Sequence, residues 1–188
     1  MQKDKKQLLL DAALKLFVEY GFHGTPTSLI AKEAGVANGT LFHYFKTKDE
    51  LIVALYVDIK NRMAAYVFEN AKGQATFKET VKEQYLASLF WAQDNQLQYR
   101  FAEQFKNSPY LSQIAPDEIE ASVKPFHDML RMGIKEGVIK SQPVELLFTI
   151  ISSHAYGINQ YFMSTNFSKA KQHQVISDSF EMLWAMLT

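Results

Sequence analysis

Cysteine is absent from the 188-residue sequence, and long apolar runs are absent as well. Without thiols the chain has no disulfide bonds and no thiolate metal sites, which suits a reducing cytoplasm. No apolar stretch approaches the ~20 residues that a helix needs to span a bilayer. The N-terminal segment MQKDKKQLLLDAAL contains only a short apolar run, which Asp11 interrupts, and this is unlike a signal peptide. We therefore expect a cytoplasmic protein without a membrane segment.

The motifs of common enzyme classes are also missing. The sequence contains no G-x-S-x-G, no H-E-x-x-H, no phosphate-binding glycine loop and no dinucleotide fingerprint. The histidines stand at no spacing that is typical of metal ligands; they are His23, His43, His127, His154 and His173. The sequence therefore predicts a protein that is not an enzyme and that has neither a metal site nor a cofactor.

The formal net charge is zero, but the charge is unevenly distributed along the chain. Residues 1–48 carry seven lysines against four acidic residues, a net charge of +3, whereas residues 49–188 carry 13 basic against 16 acidic residues, a net charge of −3. A basic segment attracts nucleic-acid phosphates. Lys3, Lys5 and Lys6 could form a flexible arm that reaches phosphates, or they are simply a solvated terminus.

Apolar residues recur at helical spacing throughout the chain, and no stretch alternates as a strand would. With 47% hydrophobic and 21% charged residues the composition is that of a globular protein. A first helix is predicted from Lys5 to Tyr20, with Gly21 as its stop. A second helix is predicted with Thr25 as N-cap and Pro26 at its first position.

The segment that follows predicts a helix-turn-helix. Gly35 can adopt the left-handed conformation that ends the second helix, and Asn38 begins a third helix that is too short to be stable alone. Such a helix needs a scaffold, which leaves its outer face free to enter the DNA major groove. Thr47 and Glu50 then form a predicted capping box that opens a long fourth helix.

This segment resembles the signature of the TetR family of one-component transcriptional regulators. The matching stretches are PTSLIA at 26–31, AGV at 34–36, GTLFHYF at 39–45 and KDEL at 48–51. They cover about the first quarter of the chain. The resemblance implies an all-α fold with an N-terminal three-helix DNA-binding domain and a C-terminal helical domain for ligand binding and dimerisation. We place these domains at residues 1–48 and 49–188.

Phosphate contacts are expected at the end of the third helix and at the start of the fourth. The resemblance assigns such contacts to Tyr44 and Lys48, and Lys48 lies in a first helical turn, where a cation is better explained by an external anion. Ser28 either contacts DNA or only caps its helix. Phe42 departs from the commoner tyrosine, so it can offer stacking or a thymine-methyl contact but no hydroxyl.

Base readout is predicted for Asn38, Thr40 and Thr27, while Gly39 admits close approach of the backbone. The first arginine in the chain is Arg62, so the usual arginine-to-guanine contact is not available from this segment. We therefore expect a palindromic double-stranded operator whose half-site depends on adenine and on thymine methyl groups more than on guanine.

The remaining sequence predicts further helices, and the last two have wide apolar faces. These two helices, from Pro143 and from Ser168, are expected to pair with a second copy in a four-helix homodimer interface. The alternative is that the apolar faces of both helices are buried within the core of a single monomer. The other helices are predicted from Thr47 to Asn70, from Thr76 to Ala92, from Gln96 to Lys106 and from Pro116 to Gly137, with Gly73 as a break and Pro125 kinking or dividing the last of them.

An apolar effector pocket is predicted in the C-terminal domain, as the resemblance implies. Its expected lining is Phe90, Tyr99, Phe126, Met129, Phe148, His154 and Tyr156. No paired charge accompanies these residues, so the sequence favours a neutral or singly charged small hydrophobic effector, with repression as the expected sign. Two alternatives stay open: a regulator that is controlled by a partner protein, and a helical hydrophobe carrier that no longer binds DNA.

Overall fold

The computed structural model describes residues 4–71 and 76–188 and is all-α over these residues, as the sequence predicts. Lys3 and Gly73, both used above, lie outside them. The α-helices are α1 (Lys5–Gly24), α2 (Thr27–Glu33), α3 (Asn38–Tyr44), α4 (Lys48–Asn70), α5 (Phe77–Asp94), α6 (Gln96–Lys106), α7 (Pro116–Lys135), α8 (Val144–Met163) and α9 (Lys169–Leu187), and a short 3-10 helix covers Pro109–Gln113.

The chain divides into two compact units. One comprises Met1–Met63 with Asn95–Ala115, and the other Ala64–Asp94 with Pro116–Thr188. The division follows packing: α6 joins the unit that contains α1, although it lies beyond residue 48. The boundary drawn above after residue 48 separates expected functions, so it stays a prediction.

The first unit is built around α1, which packs against α2, α3 and α6. Aromatic rings join α1 to α6: the Phe17 and Phe101 ring centroids lie 6.2 Å apart, and Phe22 meets Phe101 edge to face at 5.7 Å. On α4, Tyr56 stacks on Phe105 of α6 at 4.0 Å. Burial of these rings supplies the hydrophobic scaffold that the short helices α2 and α3 need.

In the second unit, α5, α7, α8 and α9 surround one apolar core. Its fully buried members include Leu89, Ile176 and Phe180. On α7, Gly133 lies so close to the ring of Phe77 that an added Cβ would stand 2.3 Å from its Cζ. A larger residue at this position would force the Phe77 ring to move, because the ring packs directly on the helix backbone.

The predicted start of the second helix is wrong. Thr25 does not cap α2; its hydroxyl donates to the carbonyls of Gly21 at 2.8 Å and Leu16 at 3.1 Å, and so it closes α1. The residue at the N-cap position is Pro26. The physical reason is that Pro26 is itself extended, with a ψ of 147°, so α2 begins one residue later, at Thr27, while the Thr25 hydroxyl is already bonded to α1. Gly21 does break the helical backbone, with a φ of 74°.

Pro125 does not divide its helix, since α7 runs from Pro116 to Lys135 as one element. Proline lacks the N–H that would bond the carbonyl four residues earlier, at Ala121. Both residues are exposed, so water can satisfy that carbonyl. Exposure therefore makes the missing hydrogen bond tolerable within a continuous helix.

Candidate nucleic-acid interface

The turn between α2 and α3 has the geometry of a glycine-ended helix. Gly35 has a φ of 68° and its N–H donates to Lys32 O at 3.1 Å, while the N–H of Val36 donates to Ala31 O at 3.0 Å. These two bonds form a Schellman motif, in which a residue with positive φ reverses the chain after the last helical turn. The motif directs the chain from α2 into α3.

The two helices are held by their inner residues. Ile30 and Ala31 of α2, Leu41 of α3 and the following Phe45 are buried, and α2 contacts both α1 and α3. The Nζ of Lys6 lies 6.0 Å from the centroid of the Phe45 ring. Because α3 has only seven residues, this packing rather than intrinsic propensity keeps it helical.

The outer residues of the motif are available to a partner. Ser28, Asn38, Gly39 and Phe42 are exposed, and the remaining predicted contacts, Thr27, Thr40, Tyr44 and Lys48, are half-buried. All eight lie in α2, in α3 or at the first residue of α4. Phe42 is 41% exposed, which is unusual for a large aromatic side chain that has an apolar core beside it.

Gly39 has no internal reason to be glycine. A Cβ added there meets no atom within 4 Å, and its φ is not positive. Glycine inside a helix costs about 1 kcal/mol relative to alanine. A small residue at this exposed place therefore indicates close approach by something outside the chain.

The start of α4 differs in one detail from the predicted capping box. The N–H of Glu50 donates to the Thr47 Oγ1 at 3.0 Å, as expected, but the Glu50 carboxylate accepts from the N–H of Lys46 at 2.7 Å. This cap fixes the first turn, which holds Lys48. No carboxylate within residues 4–71 or 76–188 pairs with Lys48, so its ammonium is available to an anion.

Two cations near this site were not predicted from the sequence. Lys46 was not named, and Lys6 was named without its place beside the Phe45 ring. Lys46 is exposed directly after the buried Phe45. Lys5 and Lys6 stand in the first turn of α1, where Asp4 is the N-cap, rather than in a flexible arm. The basic residue type was the only signal in the sequence, because the place of Lys6 beside Phe45 depends on how α1 packs against α3.

The effector pocket stays a prediction, and the structure places its predicted lining residues as follows. Phe126 and Phe148 meet at 5.6 Å between ring centroids, and with Phe90 and Met129 they are half-buried against the core of the second unit. Tyr156 is 45% exposed. Tyr99 belongs to α6 and hence to the first unit.

His154 is engaged in a hydrogen-bond network. Its Nδ1 lies 2.9 Å from the Tyr85 hydroxyl, which in turn lies 3.1 Å from the Ser179 Oγ. Burial lowers the pKa of His154 and raises the pKa of Tyr85 to about 12. His127 and His173, which the prediction omitted, contact the rings of Phe148 and Phe90.

Residues 4–71 and 76–188 show neither a metal-binding cluster nor a membrane-spanning helix. No group of three or more histidine, aspartate or glutamate side chains there could hold a metal ion. No helix in the same ranges has the length and apolar character needed to cross a membrane.

Comparison with known proteins identifies the motif. Residues 9–55 match the family model described as bacterial regulatory proteins, tetR family. A crystal structure of a protein assigned to the tetR family of transcription regulators, from Shewanella sp. PV-4, is 31% identical to this chain, covers 98% of each chain and superposes with a TM-score of 0.90.

Other relatives agree over most of the chain. The uncharacterized HTH-type transcriptional regulator YhgD of Bacillus subtilis strain 168 is 29% identical over 178 residues, which are 92% of this chain and 88% of that protein. A TetR family regulator from Marinobacter aquaeolei VT8 has a TM-score of 0.85 at 22% identity, covering 97% of this chain and 95% of its own, and shows the shared fold. The chain therefore belongs to the TetR family, and it is a DNA-binding transcriptional regulator rather than an enzyme.

Proposed function

We propose that this protein is a ligand-responsive repressor that binds a palindromic operator as a homodimer in the cytoplasm. The proposal of operator binding rests on the α2–α3 motif, whose outer face is exposed while its inner face is buried. Gly39 strengthens the proposal because nothing inside the chain requires glycine there.

Phosphate binding falls to Tyr44, Lys48 and Ser28. The Tyr44 ring is half-buried between neighbours, with His43 edge to face at 5.4 Å and Phe45 at 6.5 Å between centroids. These contacts limit the directions in which the Tyr44 hydroxyl can point. A positioned hydroxyl and a free ammonium fix the register of a protein on DNA without reading sequence.

Base recognition falls to Asn38, Thr40 and Thr27. Asn38 is exposed at the first position of α3, and an asparagine amide can pair with adenine through both its donor and its acceptor. Phe42 offers an apolar surface to thymine methyl groups. Since no arginine precedes Arg62, guanine readout has no arginine donor in this motif.

Dimerisation is proposed through α8 and α9. Large apolar side chains are exposed on both helices, which argues against the alternative that both apolar faces are buried within the core of one monomer. On α8 and α9 they are Leu146, Tyr156, Tyr161, Met163, Met182 and Met186. Helices that keep such faces after folding are suited to pairing with a second copy.

Control by a small molecule follows from mass action. A ligand that binds only the conformer unable to engage the operator raises the population of that conformer and so lowers operator occupancy. A difference of 1.4 kcal/mol between the ligand's affinities for the two conformers changes their ratio about 10-fold. The half-buried aromatic side chains Phe90, Phe126 and Phe148 support an apolar effector. Control by a partner protein that docks on the same unit is the competing mechanism.

The experiment that tests DNA recognition is selection of half-sites from random duplexes by the purified protein. We expect an inverted repeat whose half-sites are rich in adenine and thymine. Lys48→Ala should weaken binding to all sequences alike and reduce the slope of log affinity against log salt by about 0.9, one phosphate contact. Invariant guanines at the centre of each half-site would contradict the assignment of readout to Asn38, and an unchanged salt slope would contradict the role of Lys48.

A further inference from the structure

His127 on α7 stands out among the polar side chains of the second unit. Its ring lies edge to face with Phe148, with centroids 5.1 Å apart and planes at 79°. Its Nε2 is buried and has no hydrogen-bond partner. A buried ring nitrogen without a partner loses its hydration and gains nothing in return, so it destabilises the state in which it is found.

Other polar side chains inside this unit are paired with one another. Tyr85 bonds both His154 and Ser179, as described above, and Gln93 donates to the buried Asn159 at 3.0 Å. Over the described residues of the unit, the Nε2 atom of His127 is the buried side-chain nitrogen or oxygen that remains without a partner. Among the described residues of this unit the other interior polar side chains are paired, so this exception points to a ligand.

The surroundings of His127 are aromatic. Phe148 also meets Phe126, with ring centroids 5.6 Å apart and planes at 67°, so two consecutive residues of α7 contact one ring of α8. Phe126, Phe148 and Met129 pack against the core but keep part of their surface accessible. An aromatic body can therefore gain contacts here, because ring pairs favour edge-to-face and offset geometries.

Charged groups near His127 on α7 are engaged with each other. Asp128 accepts from Lys124 and, at 2.7 Å, from Arg131, and all three are exposed. An ionised ligand group beside the buried His127 Nε2 would thus lack a free counter-charge on this helix, at a high desolvation cost.

We propose that His127 is the polar anchor of the effector site and binds the hydroxyl group of an uncharged aromatic ligand whose ring packs against Phe126 and Phe148. A neutral imidazole nitrogen either donates or accepts according to its tautomer. A hydroxyl group can do both, whereas an ether or carbonyl oxygen can only accept. This inference rests on the proposed ligand-responsive function and specifies the ligand class that the site takes.

The test compares three probes of one ring size: 2-naphthol, 2-methoxynaphthalene and 2-naphthoate. Their affinities for the full-length protein are measured by isothermal titration calorimetry. With Nε2 as the acceptor, 2-naphthol can donate to it and 2-methoxynaphthalene cannot, so we expect 2-naphthol to bind at least about 10-fold more tightly than either of the others, as for one good hydrogen bond. In His127→Phe the three affinities should become nearly equal, whereas His127→Gln should retain part of the preference for 2-naphthol.

His173→Phe is the matched control. His173 also lies against a phenylalanine ring, with its centroid 4.2 Å from that of Phe90, but it is exposed and water can satisfy its nitrogens. This variant should keep the wild-type preference for 2-naphthol. Equal preferences in wild type and His127→Phe, or no binding of 2-naphthol to wild type, would overturn the proposal.

Stability of the ligand-free protein provides an independent readout. Since His127→Phe removes an unpaired buried nitrogen and keeps an aromatic ring, its urea midpoint should equal or exceed that of wild type. A lower midpoint would overturn the proposal, because it would show that the imidazole is structural. Binding to the DNA upstream of its own gene, measured on the same samples, separates the two claims: a protein that binds DNA but not 2-naphthol contradicts only the ligand assignment.

Discussion

Three side chains of the second unit form one hydrogen-bonded chain. The Tyr85 hydroxyl lies 2.9 Å from His154 Nδ1 and 3.1 Å from the Ser179 Oγ, and the Ser179 Oγ lies 2.8 Å from Ile176 O. Each hydroxyl group has one hydrogen to donate and an oxygen that can accept. The chain therefore couples α5, α8 and α9 through three side chains.

Removing the central hydroxyl tests this network. Tyr85→Phe should lower the free energy of unfolding by about 1–3 kcal/mol, because in a partly dry interior His154 Nδ1 loses its partner and Ser179 keeps only its bond to Ile176 O. Urea unfolding checks the value. Tyr156→Phe is the control, since Tyr156 is exposed and its variant should change stability by less than about 0.5 kcal/mol. A Tyr85→Phe protein as stable as wild type would contradict the network.

His154 also predicts a dependence of stability on pH. Burial lowers its pKa in the folded state, so below its ordinary value near 6.5 the unfolded chain takes up a proton that the folded chain resists. The contribution of His154 to stability is therefore complete above pH 6.5 and is lost as pH falls through its folded pKa. Urea midpoints between pH 7.5 and 5 should fall less steeply for His154→Gln than for wild type. Parallel curves would refute this coupling.

At the scale of elements, the DNA-binding motif depends on helices that cannot stand alone. α2 and α3 have seven residues each and are held by burial of Ile30 and Leu41 and by the Schellman motif at Gly35. Their glycines have opposite roles. Gly35 has a positive φ that the turn requires, whereas Gly39 has an ordinary helical backbone and open space around its Cα.

This difference predicts opposite effects of alanine. Gly39→Ala should raise the free energy of unfolding by about 0.4–1 kcal/mol and weaken operator binding, since the methyl group occupies the space that DNA approaches. Gly35→Ala, its matched control, should destabilise the protein by about 1–2 kcal/mol through its left-handed backbone. Thermal unfolding and fluorescence anisotropy measure the two effects. Gly39→Ala with unchanged DNA affinity would contradict close approach.

At the scale of the whole molecule, the exposed apolar side chains of α8 and α9 bear on assembly. Met182 is 68% exposed and Met186 is 51% exposed on α9, while Tyr161 and Met163 are 47% and 50% exposed on α8. A monomer that leaves such side chains in water gains by covering them, and a two-fold interface covers both copies with one surface.

A charge placed on this surface tests the assembly. Met182→Glu should weaken the dimer by roughly 10-fold or more, because a carboxylate would be desolvated in each copy without a partner. Native mass spectrometry over a dilution series measures the effect. Met132→Glu is the control: Met132 is equally apolar and 50% exposed, but it lies on α7. A Met182→Glu protein that dimerises as wild type does would place the interface elsewhere.

Local chemistry in the sequence determined where most helices begin and end. Gln96 and Lys106 bound α6 as predicted, Ser168 caps α9 by accepting from the N–H of Lys171 at 3.3 Å, and the positive φ of Gly137 follows the end of α7. These signals act within a turn or two of helix, so they can be read without knowing the fold. The family motif at residues 26–51 is equally local.

Only the tertiary structure decided which distant residues meet. Tyr85 bonds partners 69 and 94 residues away, and Gly133 admits the ring of Phe77. Tyr99 belongs to the first unit, whereas the other predicted effector residues belong to the second. Periodicity marks a residue as facing inward but does not name its neighbour. Pairing across helices depends on how whole apolar faces pack. The residues predicted to contact DNA could therefore be named from local sequence, whereas the unpaired nitrogen of His127 became visible only in the folded unit.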